Sequence, residues 1–224
     1  MLRLTIILCG FLTWACAANA EIAIAVTYLR QEVKRPPTLS NLDPVPADQG
    51  QMGAKLGLED NNTTGGFLGH SYRLEVIDVP IDGDFAMAAT EALAKSPYMI
   101  LDAPVANQLR VADLPSAQDA MLFNVSSADL ALRDDACRGN LFHTLPSYPM
   151  RSDALMQFAL AKRWTDLAMI VGSYPDDLAF ADALRKSATK FGMMILVERT
   201  WAFDADMRRN AAQEVPLFTE ELGE

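Results

Sequence analysis

The chain has 224 residues, half of them hydrophobic, with 19 basic against 29 acidic residues and a net charge of −10. That length suits one large domain or two small ones. The acidic balance argues against nucleic acid and against anionic membrane surfaces as partners.

The first twenty residues read as a signal peptide. Arg3 opens it, "LTIILCGFLTWACA" is an apolar run too short for a membrane span, and Ala18-Asn19-Ala20 is a small-x-small cleavage site before Glu21. A lipoprotein reading would use Cys16, but Trp14 and Ala15 make a poor lipid-attachment box. Without Arg3, 18 of the 19 basic residues remain against 29 acidic ones. No later segment reaches the roughly 20 apolar residues of a membrane helix, so no stable membrane insertion is expected. Cys9 and Cys16 leave with the leader. Cys137 then stands alone, without an internal disulfide partner, and reads as a small buried or half-buried residue.

Strands and helices then alternate. "EIAIAVTYL" (Glu21–Leu29) is a β-rich apolar run without turn residues. Arg35 to Gly50 follows with Pro36, Pro37, Pro44 and Pro46, much longer than the 2–6 residues a plain strand-to-helix connection needs. A helix is expected from the "PADQG" stretch, with Asp48 in its first turn, Met52, Leu56 and Glu59 in step, and a stop at the loop cluster "NNTTGG". "YRLEVIDVP" is a second strand. "DGDFAMAATEALAKSP" is a helix opened by Gly83 and Asp84 and closed by Pro97. "YMILDAP" is a short strand, "VANQLRVADL" a short helix, "DAMLFNVSS" a strand and "NLFHTLPSYP" a short extended piece. "MRSDALMQFALAKRW" is a helix with Ser152 as its expected N-cap. "DLAMIVGSYP" is a strand, "DDLAFADALRKSATKFG" a helix ended by Gly192, and "MMILVERTW" a strand. "DMRRNAAQEVPLFTEELGE" begins another helix.

Nearly continuous apolar strands separated by helices indicate parallel sheets covered on both faces. The expected fold is α/β, with two doubly wound parallel-sheet lobes. The expected bounds are 1–20 for the signal peptide, 21–147 for the first lobe and 148–224 for a partial second lobe. The seam falls near Pro146–Met150.

Catalytic signatures are missing. "TGGFLG" follows a helix and precedes a strand, the reverse of a dinucleotide loop. There is no phosphate-binding G-x-x-x-x-G-K-[ST] loop and no G-x-S-x-G elbow. His70 and His143 lack ligand-like spacing, so no metal site is expected. Asp82-Gly83-Asp84 reads as a turn and helix cap. Asp134-Asp135 and Asp176-Asp177 read as solvated loop and helix-start acids. Asn61, Asn62 and Asn124 match the N-x-S/T pattern, which has little force alone. The reading is a binding protein, not an enzyme, with no cofactor.

In open α/β units, ligands sit at the carboxyl ends of the strands. Those ends are expected at Tyr28 to Arg30, at Asp102-Ala103-Pro104, at Asn124 to Ser127 and at Gly172-Ser173-Tyr174. Two such rims facing across the seam make a cleft. The ligand-binding candidates are Asp102, Ala103, Pro104, Asn124, Ser126, Ser127, Tyr148 and Ser173.

This order of parts resembles the type I periplasmic solute-binding proteins of ABC transporters, including the branched-chain amino-acid binders. In that family the loops after the third and fourth strands supply ligand groups, matching "DAPVANQ" and "FNVSS" here. "PPTLSNLDPVPADQG", "EDNNTTGGFLG", "CRGNLFHTLPS" and "LAKRWTDLAMIVG" are similar to one branch of it, associated with PQQ-dependent alcohol dehydrogenase systems. The resemblance implies a periplasmic protein that hands a small solute to ABC permease subunits. Asp102 and Ala103 stand where the amino-acid binders tend to have small or hydroxyl residues, so an amino-acid ligand is not carried over. Family members are much longer, which implies a truncated second lobe with an open edge and an uncovered apolar face. The long proline segment would shape or cover the cleft. The alternatives are a ligand-sensing receptor domain, or an enzyme on the same scaffold.

Overall fold

The computed structural model describes residues 21–34, 45–201 and 215–220. The expected signal peptide, most of the proline segment and the start of the last helix lie outside these residues. Seven strands and five α-helices alternate: β1 (Ile22–Gln31), α1 (Gln51–Gly65), β2 (His70–Val79), α2 (Phe85–Leu93), β3 (Tyr98–Asp102), α3 (Val105–Ala112), β4 (Met121–Asn124), β5 (Leu141–His143), α4 (Tyr148–Ala161), β6 (Asp166–Val171), α5 (Pro175–Lys190) and β7 (Met194–Thr200). Residues 215–220 are also helical.

Two sheets result, one with the order β2-β1-β3-β4-β5 and one with β6-β7. All pairs are parallel. In the larger sheet the winding reverses between β1 and β3, and in such sheets the crevice at that switch point is where ligands bind. The fold is the expected parallel α/β architecture.

The core of the larger sheet is one cluster that includes Leu29, Phe85, Met99, Leu101, Val111, Leu122 and Leu132. β3 buries Met99 and Leu101 fully. These residues explain why the strands read as apolar runs. Gln31, 6% exposed, ties three elements together at the top of β1. Its Nε2 donates to Pro80 O at 2.5 Å, and its Oε1 accepts from Asn107 Nδ2 at 3.1 Å.

Several local expectations change. β1 continues to Gln31, so Tyr28 and Leu29 lie inside the strand and are buried; its carboxyl end is Gln31. The "NNTT" stretch belongs to α1, where Asn62 Nδ2 donates to Tyr72 O (2.8 Å) and anchors the helix to β2. Asp48 precedes α1, whose N-cap is Gly50 with φ 87° and no side-chain cap bond. The extended piece after Cys137 is a fifth strand paired with β4. α4 begins at Tyr148 and is capped by Ser147, not Ser152. Ser152 is buried mid-helix, and its hydroxyl meets Ser187 Oγ at 2.8 Å, linking α4 to α5. Cys137 is exposed rather than buried.

Asp84 does cap α2, accepting from Ala86 N (3.1 Å) and Met87 N (3.2 Å). Asp84→Ala should cost about 1 kcal/mol. A urea unfolding midpoint checks this, and an unchanged midpoint would show that the cap is idle.

The smaller sheet is less covered. Ile170, Met194 and Leu196 are exposed, as are Leu155, Phe158 and Trp164 along α4 and its exit. Among the described residues β6 pairs only with β7, so its outer edge carries unpaired backbone groups.

Candidate ligand cleft between the two sheets

The carboxyl ends of β1, β3 and β4 converge on one side of the larger sheet, because all run parallel in register. The amino end of α5 faces them. Between them lies a cavity of about 760 Å³, lined by Gln31, Val33, Lys34, the segment Asp102 to Ala106, Ser126, Ser127, Tyr148 and the segment Tyr174 to Asp177. That volume fits a small solute.

Six of the eight candidates line this cavity: Asp102, Ala103, Pro104, Ser126, Ser127 and Tyr148. Asn124 and Ser173 do not. Asn124 is fully buried beneath the floor. Its Oδ1 accepts from Ser126 N (3.1 Å), Ser127 N (2.9 Å) and Gln108 Nε2 (2.9 Å). Its Nδ2 donates to Ser127 O (2.7 Å) and meets His143 Nδ1 at 3.1 Å. Asn124 therefore shapes the turn that presents the two serines. Ser173 is exposed, just before the cavity-lining Tyr174.

Sequence reasoning missed Gln31, Val33, Lys34 and Pro175 to Asp177; Tyr174 was placed at a strand end, and Val105 and Ala106 fall in the "DAPVANQ" loop, but none of the three was named as a ligand candidate. The signal for Asp176 and Asp177 was present in "YPDD", a proline and two acids at a helix start, but it reads equally well as a plain cap. Gln31 and Lys34 were missed because β1 runs further than its apolar pattern.

Ser126 bridges the β3 and β4 loops. Its hydroxyl accepts from Ala103 N (2.9 Å) and donates to Ala103 O (3.1 Å). On the same wall, Asp102 Oδ2 accepts the Tyr28 hydroxyl at 2.8 Å. Tyr28 is 2% exposed, and burial together with the Asp102 carboxylate drives its ionisation well above the ordinary tyrosine range. Gly50 lies against this hydroxyl, and a Cβ there would overlap it. Asp102 and Ser126 also line a second cavity of about 420 Å³, together with Tyr28, Gln49, Gly50, Ala54, Ile100 and Val125.

On the opposite wall, burial and the neighbouring Asp176 carboxylate push the Tyr148 hydroxyl up to about 12. The Tyr148 ring packs on Phe180 at a centroid distance of 5.7 Å. Asp177 Oδ2 accepts from Tyr174 N at 3.3 Å, and Gly172 leaves the space this carboxylate fills. Among the described residues, no three His, Cys, Asp or Glu side chains lie close enough to hold a metal ion.

His143 links the turn to β5. Burial is the main cause holding its pKa below the ordinary value, with the Arg133 charge adding to it and the Leu132 carbonyl opposing. The unfolded chain therefore binds this proton more readily, so the contribution to stability is present above the unfolded pKa of about 6.5 and is lost as pH falls below it. Between pH 7.5 and 5.5, His143→Gln should lose less stability than the parent in urea titrations. Equal losses would assign the acid sensitivity to other groups.

Two parallel α/β sheets facing across a cleft fit the type I periplasmic binding protein fold. The chain belongs to the periplasmic binding protein family, whose model matches residues 45–207. That membership indicates a periplasmic location. Similar solved structures include an ABC transporter substrate-binding protein from Desulfitobacterium hafniense in complex with Leu, 18% identical, TM-score 0.58, covering 88% of this chain and 56% of that one. Another is a branched chain amino acid ABC transporter periplasmic ligand-binding protein from Burkholderia xenovorans LB400, 15% identical, TM-score 0.63, covering 86% and 50%. The chain thus spans about half the length of these structures. No curated protein matches the chain. Among the described residues, no helix is long and apolar enough to cross a membrane.

Proposed function

We propose that the chain is the substrate-binding component of an ABC transporter, holding a small solute in the cleft between the sheets and delivering it to permease subunits. The observation that carries this reading is the cavity of about 760 Å³ where the carboxyl ends of the larger sheet face the start of α5. Parallel α/β sheets collect ligands at such a place for a physical reason: strand ends and helix starts there leave backbone groups for a solute. Asp102, Ala103, Pro104, Ser126, Ser127 and Tyr148 would contact the solute, with Asn124 holding the serine turn from below. The lobes would divide near Tyr148.

The finer reading is a transporter that serves PQQ-dependent alcohol oxidation. Its support is the sequence likeness of the Arg35–Gly50 and Glu59–Gly69 stretches to that branch. Impaired growth on alcohols of a strain lacking the gene would support this link, and unaltered growth would remove it.

Ala106 tests the cleft itself, because it lines the cavity yet is exposed, so a large side chain there has room without repacking the core. Solute that co-purifies with the intact chain is identified by native mass spectrometry and titrated back by calorimetry. Ala106→Trp should weaken its binding about tenfold or more, equivalent to about 1.4 kcal/mol, with an unaltered melting temperature. Unchanged affinity would move the site elsewhere.

A further inference from the structure

We infer that the cleft selects an organic cation, a linear amine carrying ammonium groups toward Asp102 on one wall and Asp176 on the other. This rests on the cleft being the solute site. Among the described residues, the charged side chains lining the cavity are Lys34, Asp102, Asp176 and Asp177, three carboxylates against one ammonium. Asp177 is engaged at the start of α5 through Tyr174 N. Asp102 and Asp176 remain, the first accepting the Tyr28 hydroxyl at 2.8 Å and the second lining the same wall as the Tyr148 hydroxyl. A carboxylate has about four lone-pair sites, so a single hydroxyl leaves most of them for a ligand. Both hydroxyls resist ionisation and stay donors, which does not neutralise the carboxylates.

Among the described residues, a carboxylate-bearing solute would find no guanidinium in the cavity lining. Arg30, nearest in sequence to the rim, is turned to Asp78 (2.7 Å) and to Ala47 O (2.6 Å). Arg151 stacks on Phe180, 4.8 Å from the ring centroid. One anion-friendly feature is the first turn of α3, capped by Pro104 without a side-chain bond, and Asp102 sits two residues before that cap, while the start of α5 already carries Asp176 and Asp177. Those amides suit a neutral oxygen on the same solute better than a second full negative charge next to Asp102. A bare metal ion fits poorly, because no three acidic or ligating side chains converge among the described residues. Carboxylates on separate walls suit an elongated molecule.

The experiment is calorimetric titration of the intact chain with 1,4-diaminobutane, spermidine, L-leucine and succinate at one ionic strength. The amines should bind at least about tenfold tighter than leucine, and succinate should not bind. Asp102→Asn keeps an acceptor for Tyr28 but removes the charge, and should weaken amine binding about tenfold or more without changing the melting temperature. Asp176→Asn gives the same reading from the other wall if the first variant folds poorly. Leucine or succinate binding more tightly than the amines, or amine binding indifferent to both variants, overturns the inference. Leucine binding that Ala106→Trp abolishes would keep the cleft as the site while discarding its charge preference. Amine binding that ignores Ala106→Trp and both Asp variants would discard the site, and no binding of any probe by the folded chain overturns the cation assignment.

Discussion

Asn124→Leu should destabilise the chain by roughly 3 kcal/mol, more than any loss expected from a rim residue. The side chain is fully buried and has partners on both its oxygen and its nitrogen. Leucine has a similar branched shape, though it is bulkier, and offers no acceptor, so the amides of Ser126 and Ser127 lose theirs. A fully buried amide left unpaired costs about 1–3 kcal/mol, so these part-buried ones cost at most that each, and networks of this kind lose more than their separate bonds suggest. Gln108 Nε2 retains Ala103 O at 2.7 Å, which limits the damage on that side. Urea unfolding measures the effect. A loss below about 1 kcal/mol would show that water substitutes for the amide. Asn124→Asp, which keeps the acceptor, should fall between parent and Asn124→Leu.

Leu101→Ala should cost about 2–5 kcal/mol. Leu101 is 0% exposed near the carboxyl end of β3, paired in register with Leu29 on one side and Asn124 on the other. Its truncation opens a void in the cluster that joins β1, β3 and β4. A loss near 3 kcal/mol lowers the melting temperature by roughly 6–12 °C in a chain of this size. Solute affinity should also fall, since the next residue is Asp102 and Val125 N donates to Leu101 O at 3.2 Å. Leu101→Met conserves volume and should cost less than about 1.5 kcal/mol. Equal losses for the two variants would mean the site tolerates no reshaping at all, and the cavity account would be wrong.

The alternation of strands and helices was legible because it lives in local pattern: apolar runs such as "YMILD", and stops at proline or glycine. The cap at Asp84 was legible for the same reason. The fold class followed from that rhythm. Ser147 was less legible, since Ser147 and Ser152 both offer a hydroxyl near the start of α4 and only the chain's path decides between them. Of the cleft, the segments after β3 and β4 could be named, because the carboxyl-end rule needs only strand order. Sequence alone could not separate Ser126, which reaches the rim, from Asn124, two positions earlier and wholly buried. That difference comes from Gln108 and His143, brought under the turn from α3 and β5. The tyrosine–carboxylate pairs were hidden for a similar reason: Tyr28 and Asp102 are 74 positions apart and meet only because β1 and β3 are neighbours.

The anchoring of Gly50 against Tyr28, with Arg30 Nη1 donating to Ala47 O at 2.6 Å, fixes where the chain returns to the rim after leaving β1. A connection with both ends pinned pays a closure entropy that grows only with the logarithm of its length, about 0.6 kcal/mol per doubling. The pinned ends therefore hold the end of β1 and the start of α1 in one fixed relation at the rim, so the geometry there is set by Tyr28, Arg30, Ala47 and Gly50.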